Sequence, residues 1–310
     1  MAEPPIRWNA EALWEQLVPL LPGLSVEVLP RTTSTNSLLL ERSRGAPSRR
    51  GDREATEGDV QVRRSVESGA FARRAVDLAP CLLVAEQQTG GRGRQGRDWQ
   101  SAAGASLTFS LALPVAREDW SGLSLAVGVA LCEALEPAPG AAPRIGLKWP
   151  NDLWLMDDVR DNVRDGEAGR RSGRKLGGIL IESMSTGGPR RAVIGIGLNV
   201  LPFASGATST GFASLQELDV AVTAPAVLAT VARPLVLALQ RFEREGFAGF
   251  AAGFAARDIL VGRPVTTTLP TVPEGIARGV AADGALRVEG ADGAIAPVAS
   301  GEVSVRPVSR

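Results

Sequence analysis

The sequence predicts an α+β fold, in which a large domain built on a mixed sheet with flanking helices is followed by a small β-barrel domain. Up to residue 258, strand-like and helix-like runs are mixed without a regular strand–helix–strand repeat, which favours a mixed sheet. From residue 259 to 310, short apolar runs are separated by Gly, Pro and Asp-Gly, a pattern typical of a small antiparallel barrel. The two domains are therefore expected at 1–258 and 259–310.

The N-terminal elements are predicted in the order helix, strand, helix. Residues 9–21 (NAEALWEQLVPLL) have the pattern of an amphipathic helix with Asn9 as its cap, and residues 26–31 favour a strand. The segment TTSTNSLLLE, which starts at residue 32, predicts a loop that enters a helix. Its hydroxyl groups suit either helix capping or a ligand's polar group, and capping is the favoured role.

Two charged segments predict insertions. Residues 42–78 are rich in Arg, Asp and Glu and poor in apolar residues at their start, so a mobile loop is expected there, followed by a helix over 60–78. Residues 156–174 are similar and predict a second mobile loop. The arginines of the first segment are expected to lie on a solvated surface.

The core of the large domain is predicted from five apolar runs and two helical stretches. The strands are CLLVAEQ (81–87), ASLTFSLALP (105–114), RIGLKW (144–149), LGGILIESM (176–184) and RAVIGIGLNV (191–200). The helices are 121–136, capped by Ser121, and 225–256, broken or kinked near Pro234. In the tail, RPVTTTL, GIARGVA, ALRVEG, AIAPVA and EVSVRP predict the strands of the barrel.

Composition excludes several classes of chemistry. The chain has 34 basic and 34 acidic residues, so an anion site must be local and a general polyanion-binding protein is disfavoured. It has no histidine, which excludes Ser-His-Asp and Cys-His catalysis and histidine metal ligands. Cys81 and Cys132 lie in apolar runs and are expected to be buried free thiols. With no signal peptide and no apolar run of roughly 18 residues, a cytoplasmic location without membrane contact is expected.

The stretch QTGGRGRQGRDW (88–99) is the first candidate site. Its glycines allow backbone N–H groups to approach an anion, and Arg92, Arg94 and Arg97 supply forked donors for carboxylate or phosphate. A disordered nucleic-acid-binding segment has the same composition. The position between two predicted strands, with Trp99 closing the stretch, favours a folded anion-binding loop.

Three further motifs end or begin predicted strands. LKWPND (147–152) places Asn151 and Asp152 at a strand end, where a plain turn or a Mg²⁺ ligand is possible. RKLGGILIE (174–182) carries Lys175 before two glycines, and IGIGLNV (194–200) ends near Asn199. Lysine occurs only at 148 and 175, and two explanations are open: a general replacement of lysine by arginine along the chain, or a need for a compact ammonium at these two positions.

In this order, AExQTxGRGRxGRxW, KWPND, RKLGGILIE and IGxGLN resemble the motifs of the biotin protein ligases (biotin–[acetyl-CoA-carboxylase] ligases). STN at 34–36 and SLQE at 214–217 fit the same pattern, and the resemblance covers about residues 32–217. It implies a catalytic domain related to class II aminoacyl-tRNA synthetases, followed by a small SH3-like barrel. The two insertions depart from the usual pattern.

The resemblance also implies the reaction. Biotin and ATP are the substrates, biotinyl-5′-AMP is the intermediate, and Mg²⁺ assists. The biotin is passed to a lysine of the biotin carboxyl carrier protein of acetyl-CoA carboxylase. Because only about 30 residues precede TTSTN, we expect a monofunctional ligase that binds no nucleic acid. A monomer and a homodimer remain open.

Carried over by motif, the resemblance implies a role for each candidate residue. The residues for biotin are Ser34, Thr35, Gln88, Gly91, Arg92, Arg94 and Lys175. Those for ATP are Arg94, Arg97, Trp99, Asp152, Lys175, Asn199 and Phe212. Lys175, Arg94 and Arg97 are the catalytic cations, and Asp152 is the candidate Mg²⁺ ligand.

Two rival functions fit parts of the sequence. A lipoate ligase of the same superfamily is expected to carry an RRxxGGGxVFHD-like segment, and this chain has no histidine. A non-catalytic RNA-binding protein could use the glycine–arginine loop, but the neutral charge and few aromatic residues disfavour it.

Overall fold

A computed structural model describes residues 6–44, 61–64, 79–136, 142–157, 172–185, 190–203, 211–299 and 305–307. The α-helices are α1 (Ala10–Leu17), α2 (Thr35–Ser43), α3 (Leu123–Leu135), α4 (Ala224–Glu245) and α5 (Ala251–Ala255). The first strands are β1 (Ser25–Thr32), β2 (Gln61–Arg64), β3 (Cys81–Gln88), β4 (Gly91–Arg92), β5 (Asp98–Trp99) and β6 (Ser106–Pro114). They are followed by β7 (Ile145–Lys148), β8 (Asp152–Met156), β9 (Gly173–Met184) and β10 (Arg191–Asn199). The last strands are β11 (Pro264–Thr267), β12 (Glu274–Val280), β13 (Leu286–Glu289), β14 (Ile295–Val298) and β15 (Val305–Pro307).

The chain forms two compact units. The first contains Met1–Glu118, Gly177–Thr208 and Phe212–Leu237, and the second contains Asp119–Leu176, Ser209–Gly211 and Ala238–Arg310. Strand β9 begins in the second unit and ends in the first.

The first unit is built on a mixed sheet in the order β2-β1-β3-β6-β10-β9. β1 and β3 are parallel, and the other neighbours in this order are antiparallel. Strand β6 is buried from Ser106 to Leu113, including its hydroxyl side chains, as expected for a strand covered on both faces. Helix α2 covers β3, β6 and β10, and α1 packs on β1. The polar ends of β3 and β10 therefore lie on a rigid, buried support.

The second unit combines helices with short strands. β7 and β8 form an antiparallel hairpin, and α3 packs on β7, on α5 and on the 3₁₀ turn Gly246–Phe250. The C-terminal strands form a separate sheet of five antiparallel strands in the order β14-β13-β12-β11-β15. The α+β class with a mixed sheet and a C-terminal β-domain is confirmed.

Three helix predictions need correction. Helix α1 ends at Leu17, because Pro19 has no backbone N–H to continue the helical hydrogen bonds, and Asn9 has a left-handed backbone without a side-chain cap. Ser121 does not cap α3, since Gly122 with φ 75° holds that position. Of the predicted break or kink near Pro234, the break is wrong: α4 continues to Glu245, and Gly246 with φ 64° ends it.

Packing explains why Pro234 does not break α4. A proline inside a helix costs about 3 kcal/mol because it lacks one N–H donor. The buried side chains of Val231, Leu235 and Val236 flank it, and their burial is worth about 1.5–3 kcal/mol each. The apolar face therefore outweighs the lost hydrogen bond.

The insertions are shorter than predicted. Residues 61–64 form β2, which pairs with the edge of β1, so the helix predicted over 60–78 is wrong there. The edge of β1 provides hydrogen-bond partners for residues 61–64, and the composition of that segment alone does not predict such pairing. At the second insertion, Met156 ends β8 and Gly173 already lies in β9. The remaining parts of both predictions, 45–60, 65–78 and 158–171, lie outside the described residues.

Within the described part of the chain, every helix is too short or too polar to cross a lipid bilayer.

Candidate active site

The first turn of α2 supplies polar groups to the sheet. Ser34 is the N-cap and its hydroxyl accepts from the Ser37 N–H at 3.4 Å, so the favoured capping role is confirmed. Thr35 is buried, and its N–H donates to Gln88 Oε1 at 2.7 Å. Two of the residues predicted to bind biotin, Thr35 and Gln88, are thereby in direct contact.

The glycine–arginine stretch is a folded hairpin, which confirms the predicted folded loop, while its binding of an anion stays a prediction. Gly91 pairs with Trp99 and Arg92 with Asp98, and the tip is a short turn over Arg94–Gly96. A Cβ at Gly91 would collide with the Trp99 carbonyl, so only glycine permits this pairing. The tip bends through left-handed backbone at Gln95 (φ 57°) and Gly96 (φ 68°). Arg97 is exposed and Arg94 half-buried, and both residues belong to the turn at the tip of the hairpin.

Two glycines of β10 leave space on the sheet surface for side chains of the hairpin and of α2. A Cβ at Gly197 would overlap the Trp99 ring, and a Cβ at Gly195 would overlap the Asn36 amide. Because alternate residues of a strand face the same side, the two glycines clear one patch of the sheet surface. The IGIG segment therefore makes room for Trp99 and Asn36.

A chain of polar side chains lies beneath the hairpin. The Ser110 hydroxyl is 2.6 Å from both Thr35 Oγ1 and Asn36 Oδ1. The Asn36 amide donates to Glu182 Oε2 at 2.9 Å and to the Leu180 carbonyl at 3.2 Å. Arg92 Nη2 lies 3.0 Å from each oxygen of Glu182.

Two of the residues predicted to bind ATP, Asn199 and Phe212, lie at or near the end of β10. The Asn199 amide donates to the Ala213 carbonyl at 3.0 Å and is buried. Phe212 packs edge-on against Phe203, with ring centroids 5.2 Å apart. The backbone N–H of Gln216 donates to the Val200 carbonyl at 3.0 Å. These contacts tie the SLQE segment to β10.

In the second unit, Lys175 and Asp152 form an ion pair. Lys175 Nζ is 2.8 Å from Asp152 Oδ1, and both side chains are partly accessible. β8 presents Asp152 and β9 presents Lys175, so both groups stand on regular strands. Beside them, Arg174 binds Asp157 at 3.1 Å.

The other lysine has a different environment. Lys148 is buried, and its ammonium donates to the Val305 carbonyl at 2.9 Å and lies 5.9 Å from the Trp154 ring centroid. Trp149 is fully buried and donates its indole N–H to the Gly284 carbonyl at 3.0 Å. The Ser124 hydroxyl donates to the Pro150 carbonyl at 2.8 Å. The KWPND turn is thus fastened to the C-terminal strands and to α3.

Both cysteines are free and buried, as predicted. Burial raises the pKa of the Cys132 thiol to about 12, against the opposing charge of Arg257, so this thiol stays protonated and unreactive.

The structure thus joins Thr35 to Gln88, Gly91 to Trp99, and Lys175 to Asp152. Sequence reasoning did not assign roles to Asn36, Ser110, Glu182 or Gly197. Asn36, Glu182 and Gly197 lie within the motifs, but their contacts depend on tertiary packing. Nothing in the sequence around Ser110 distinguishes it from other core strand residues.

Known protein families contain chains with similar sequences. Residues 78–199 match the Biotin/lipoate A/B protein ligase family, and residues 260–306 match the biotin protein ligase C-terminal domain. The chain is 32% identical over 302 residues to the bifunctional ligase/repressor BirA of Escherichia coli (strain K12). That similarity covers 96% of this chain and 78% of the relative. The chain belongs to the biotin protein ligases.

Other biotin protein ligases agree in sequence and fold. A biotin–[acetyl-CoA-carboxylase] ligase of Mycobacterium tuberculosis (strain ATCC 25618 / H37Rv) is 32% identical over 76% of this chain and 82% of its own length. The solved biotin protein ligase of Aquifex aeolicus, in complex with biotin and ATP, has a TM-score of 0.65 at 24% identity. The match covers 91% of this chain and 99% of that structure, and it shows a shared fold. The family resemblance read from the motifs is confirmed.

Proposed function

We propose that this biotin protein ligase activates biotin with ATP and transfers it to a lysine of a carboxylase's biotin carboxyl carrier protein. The family membership supports this activity. The observation that carries it at the site is the folded glycine–arginine hairpin held beside the Thr35–Gln88 hydrogen bond. Hydroxyl and amide groups next to a loop that carries three arginines suit a neutral polar ring with an anionic tail.

The proposed reaction has two steps. In the first, a biotin carboxylate oxygen attacks the α-phosphorus of ATP, the bond to the bridging oxygen breaks, and pyrophosphate leaves. In the second, a carrier lysine amine attacks the biotinyl carbonyl carbon, the bond to AMP breaks, and AMP and a proton are released. Neither step requires histidine, because positioning and charge neutralisation supply most of the catalysis.

In the first unit, the proposed roles are those that the family resemblance implies for these positions. Ser34, Thr35 and Gln88 bind the ureido ring and its surroundings, and Gly91 and Arg92 line the biotin pocket. Arg94 contacts the biotin carboxylate and the phosphates, and Arg97 the phosphates. Trp99, Asn199 and Phe212 contact the adenosine moiety. Each charge-assisted hydrogen bond is worth about 1.5–3 kcal/mol, so the two tip arginines contribute substantially.

In the second unit, Lys175 bridges the biotin carboxylate and the α-phosphate. A compact ammonium suits this task better than a guanidinium, because it acts as a point charge between two anions. Asp152, at 2.8 Å, orients the ammonium and the phosphates.

Mg²⁺ is assigned to Asp152. Magnesium is often held by one or two carboxylates together with substrate phosphates, and the partly accessible Asp152 carboxylate fits that requirement. The ion would supply charge neutralisation at the phosphates. Asp152 would hold the ion, and the Lys175 ammonium contributes a positive charge of the protein to the same neutralisation.

The finer architecture is also proposed. We infer that the catalytic domain spans 1–258 and is related to class II aminoacyl-tRNA synthetases. We also infer that 259–310 forms an SH3-like barrel. The five antiparallel strands β11 to β15 support the second assignment. We further propose a cytoplasmic enzyme, monomer or homodimer, that binds no nucleic acid and acts where ATP is available.

Biotinylation of a purified carrier domain tests the function. With ATP and biotin, the wild-type chain should add one biotinyl group, detected by mass spectrometry and streptavidin binding. Lipoate replaces biotin in a parallel reaction. A lipoylated carrier without a biotinylated one would identify a lipoate ligase, and binding of RNA without either product would identify a nucleic-acid-binding protein.

Lys175→Ala tests the assigned cation. Loss of a preorganised charge at the reacting phosphate should lower biotin-dependent pyrophosphate release by about 10²–10³-fold. Arg241→Gln removes an exposed ion pair with Glu245 and should leave that rate within about twofold. Thermal unfolding should match wild type for both variants. A Lys175→Ala enzyme that retains most of its activity would refute the role of this ammonium.

A further inference from the structure

A series of hydrogen-bonded polar side chains begins and ends on the same short backbone segment, residues 88–92. It runs from Gln88 through Thr35 and Ser110 to Asn36, and on through Glu182 to Arg92. Its distances are 2.7 Å at Gln88, 2.6 Å on either side of Ser110, 2.9 Å from Asn36 to Glu182 and 3.0 Å at Arg92. Side chains from α2, β6 and β9 therefore close a ring with residues 88–92.

This ring encloses two consecutive glycines. Gly90 and Gly91 lie between the two anchors, and glycine loses more backbone entropy on ordering than any other residue. Closing the segment at both ends reduces the conformations open to it before a ligand arrives. The N–H groups of the segment are thereby preorganised.

The Arg92–Glu182 pair differs from an isolated surface ion pair. Its side chains are 44% and 26% exposed, and an exposed pair alone contributes about 0–1 kcal/mol. Here Glu182 also accepts from Asn36, which is buried and is held through the buried Ser110. A carboxylate fixed by a buried amide loses less side-chain entropy when it binds a guanidinium.

We propose that Glu182, with Asn36 behind it, is a positioning residue that anchors Arg92 and so holds the glycine-rich segment in its biotin-binding conformation. This rests on the proposed function. The Arg92 guanidinium acts on the loop through Glu182, whereas Arg94 and Arg97 at the tip are the phosphate-facing groups. Biotin affinity, and not the chemistry at phosphorus, is the property that this anchor controls.

A double-mutant cycle separates an anchor from a phosphate ligand. Glu182→Gln and Arg92→Gln should each raise the KM for biotin by about three- to tenfold, with kcat and the KM for ATP within about twofold of wild type. Because both substitutions break one contact, the double variant should show the effect of one change and not the product of two. Biotin-dependent pyrophosphate release gives these constants.

A second exposed Arg–Glu pair provides a matched control. Arg278 and Glu289 in the C-terminal sheet are 45% and 32% exposed and are likewise ion-paired. Glu289→Gln should leave the biotin KM unchanged within about twofold while shifting thermal unfolding as little as Glu182→Gln does. If Arg92→Gln mainly lowers kcat or raises the KM for ATP, or if the two effects multiply, the anchor is refuted.

Hydrogen exchange tests the loop without relying on catalysis. In the ligand-free full chain, Glu182→Gln should speed amide exchange in the peptide covering 88–93, and Glu289→Gln should not. A wild-type chain that releases no pyrophosphate with biotin would contradict the proposed function. Amide exchange would still show whether Glu182 holds residues 88–93, because that measurement does not depend on catalysis. Unchanged exchange together with an unchanged biotin KM in Glu182→Gln would overturn the inference.

Discussion

At Gly197 the missing side chain determines where an aromatic ring can lie. Trp99 occupies the space that a Cβ would need. Gly197→Ala should therefore lift the indole from β10 and displace the end of the hairpin. Since overpacking in a well-packed region costs about 1–3 kcal/mol, we expect a lower free energy of unfolding and a shift in tryptophan fluorescence.

Gly90→Ala is the matched control for this substitution. A Cβ at Gly90 would lie 3.6 Å from the Thr33 carbonyl, an ordinary contact distance. The two variants add the same methyl group and both remove glycine entropy from the unfolded chain. Equal stability losses in the two proteins would show that Trp99 does not depend on Gly197.

At the scale of elements, the β7–β8 hairpin is fastened by one of its two buried tryptophans. Trp149 donates to the Gly284 carbonyl, whereas the Trp154 indole N–H has no partner among the described residues. Trp149→Phe should leave that buried carbonyl unpaired and lower the free energy of unfolding by about 1–3 kcal/mol more than Trp154→Phe does.

The comparison isolates the hydrogen bond because each variant loses the same ring volume from the same hairpin. Urea unfolding followed by circular dichroism gives both free energies. Equal losses would mean that the Gly284 contact contributes nothing measurable to the attachment of the C-terminal strands.

At the scale of the whole molecule, the buried carboxyl group of Asp258 makes the free energy of unfolding depend on pH. Burial raises the pKa of its carboxyl to about 6, although the N–H groups of Leu260 and Val261 and the charge of Arg263 oppose the rise. The folded protein therefore binds this proton more tightly than the unfolded chain, whose aspartates titrate near about 3.9. The resulting stability is complete below that value and is lost as pH rises through about 6.

Asp258→Asn should remove this loss. Relative to wild type, the variant should gain about 1–3 kcal/mol of unfolding free energy between pH 4 and pH 7. Asp283 accepts the same local hydrogen bond, from Ala285, but is exposed, so Asp283→Asn should show no such gain. Urea titrations at several pH values measure the difference, and parallel curves for wild type and Asp258→Asn would contradict it.

Much of the fold was predictable because strands and glycine-rich loops are marked by consecutive residues. The runs at 81–87 and 191–200 became β3 and β10 nearly unchanged. Strand β2 and the uninterrupted α4 were not predictable, because a neighbouring strand edge and a buried face outweighed local composition. The same limit applies to β8, whose start was interpreted only as the end of a turn.

By itself, the sequence determined the family, the fold class and the chemistry that a chain without histidine can perform, because these depend on motif order, periodicity and composition. Only the tertiary structure decided which polar groups meet. Arg92 reaches Glu182 across 90 residues of sequence, and Asn36 reaches the same carboxylate across 146. Such contacts depend on how strands align side by side, and no local pattern encodes that alignment. The glycine–arginine stretch was recognisable as a folded loop, but its contact with Glu182 was not.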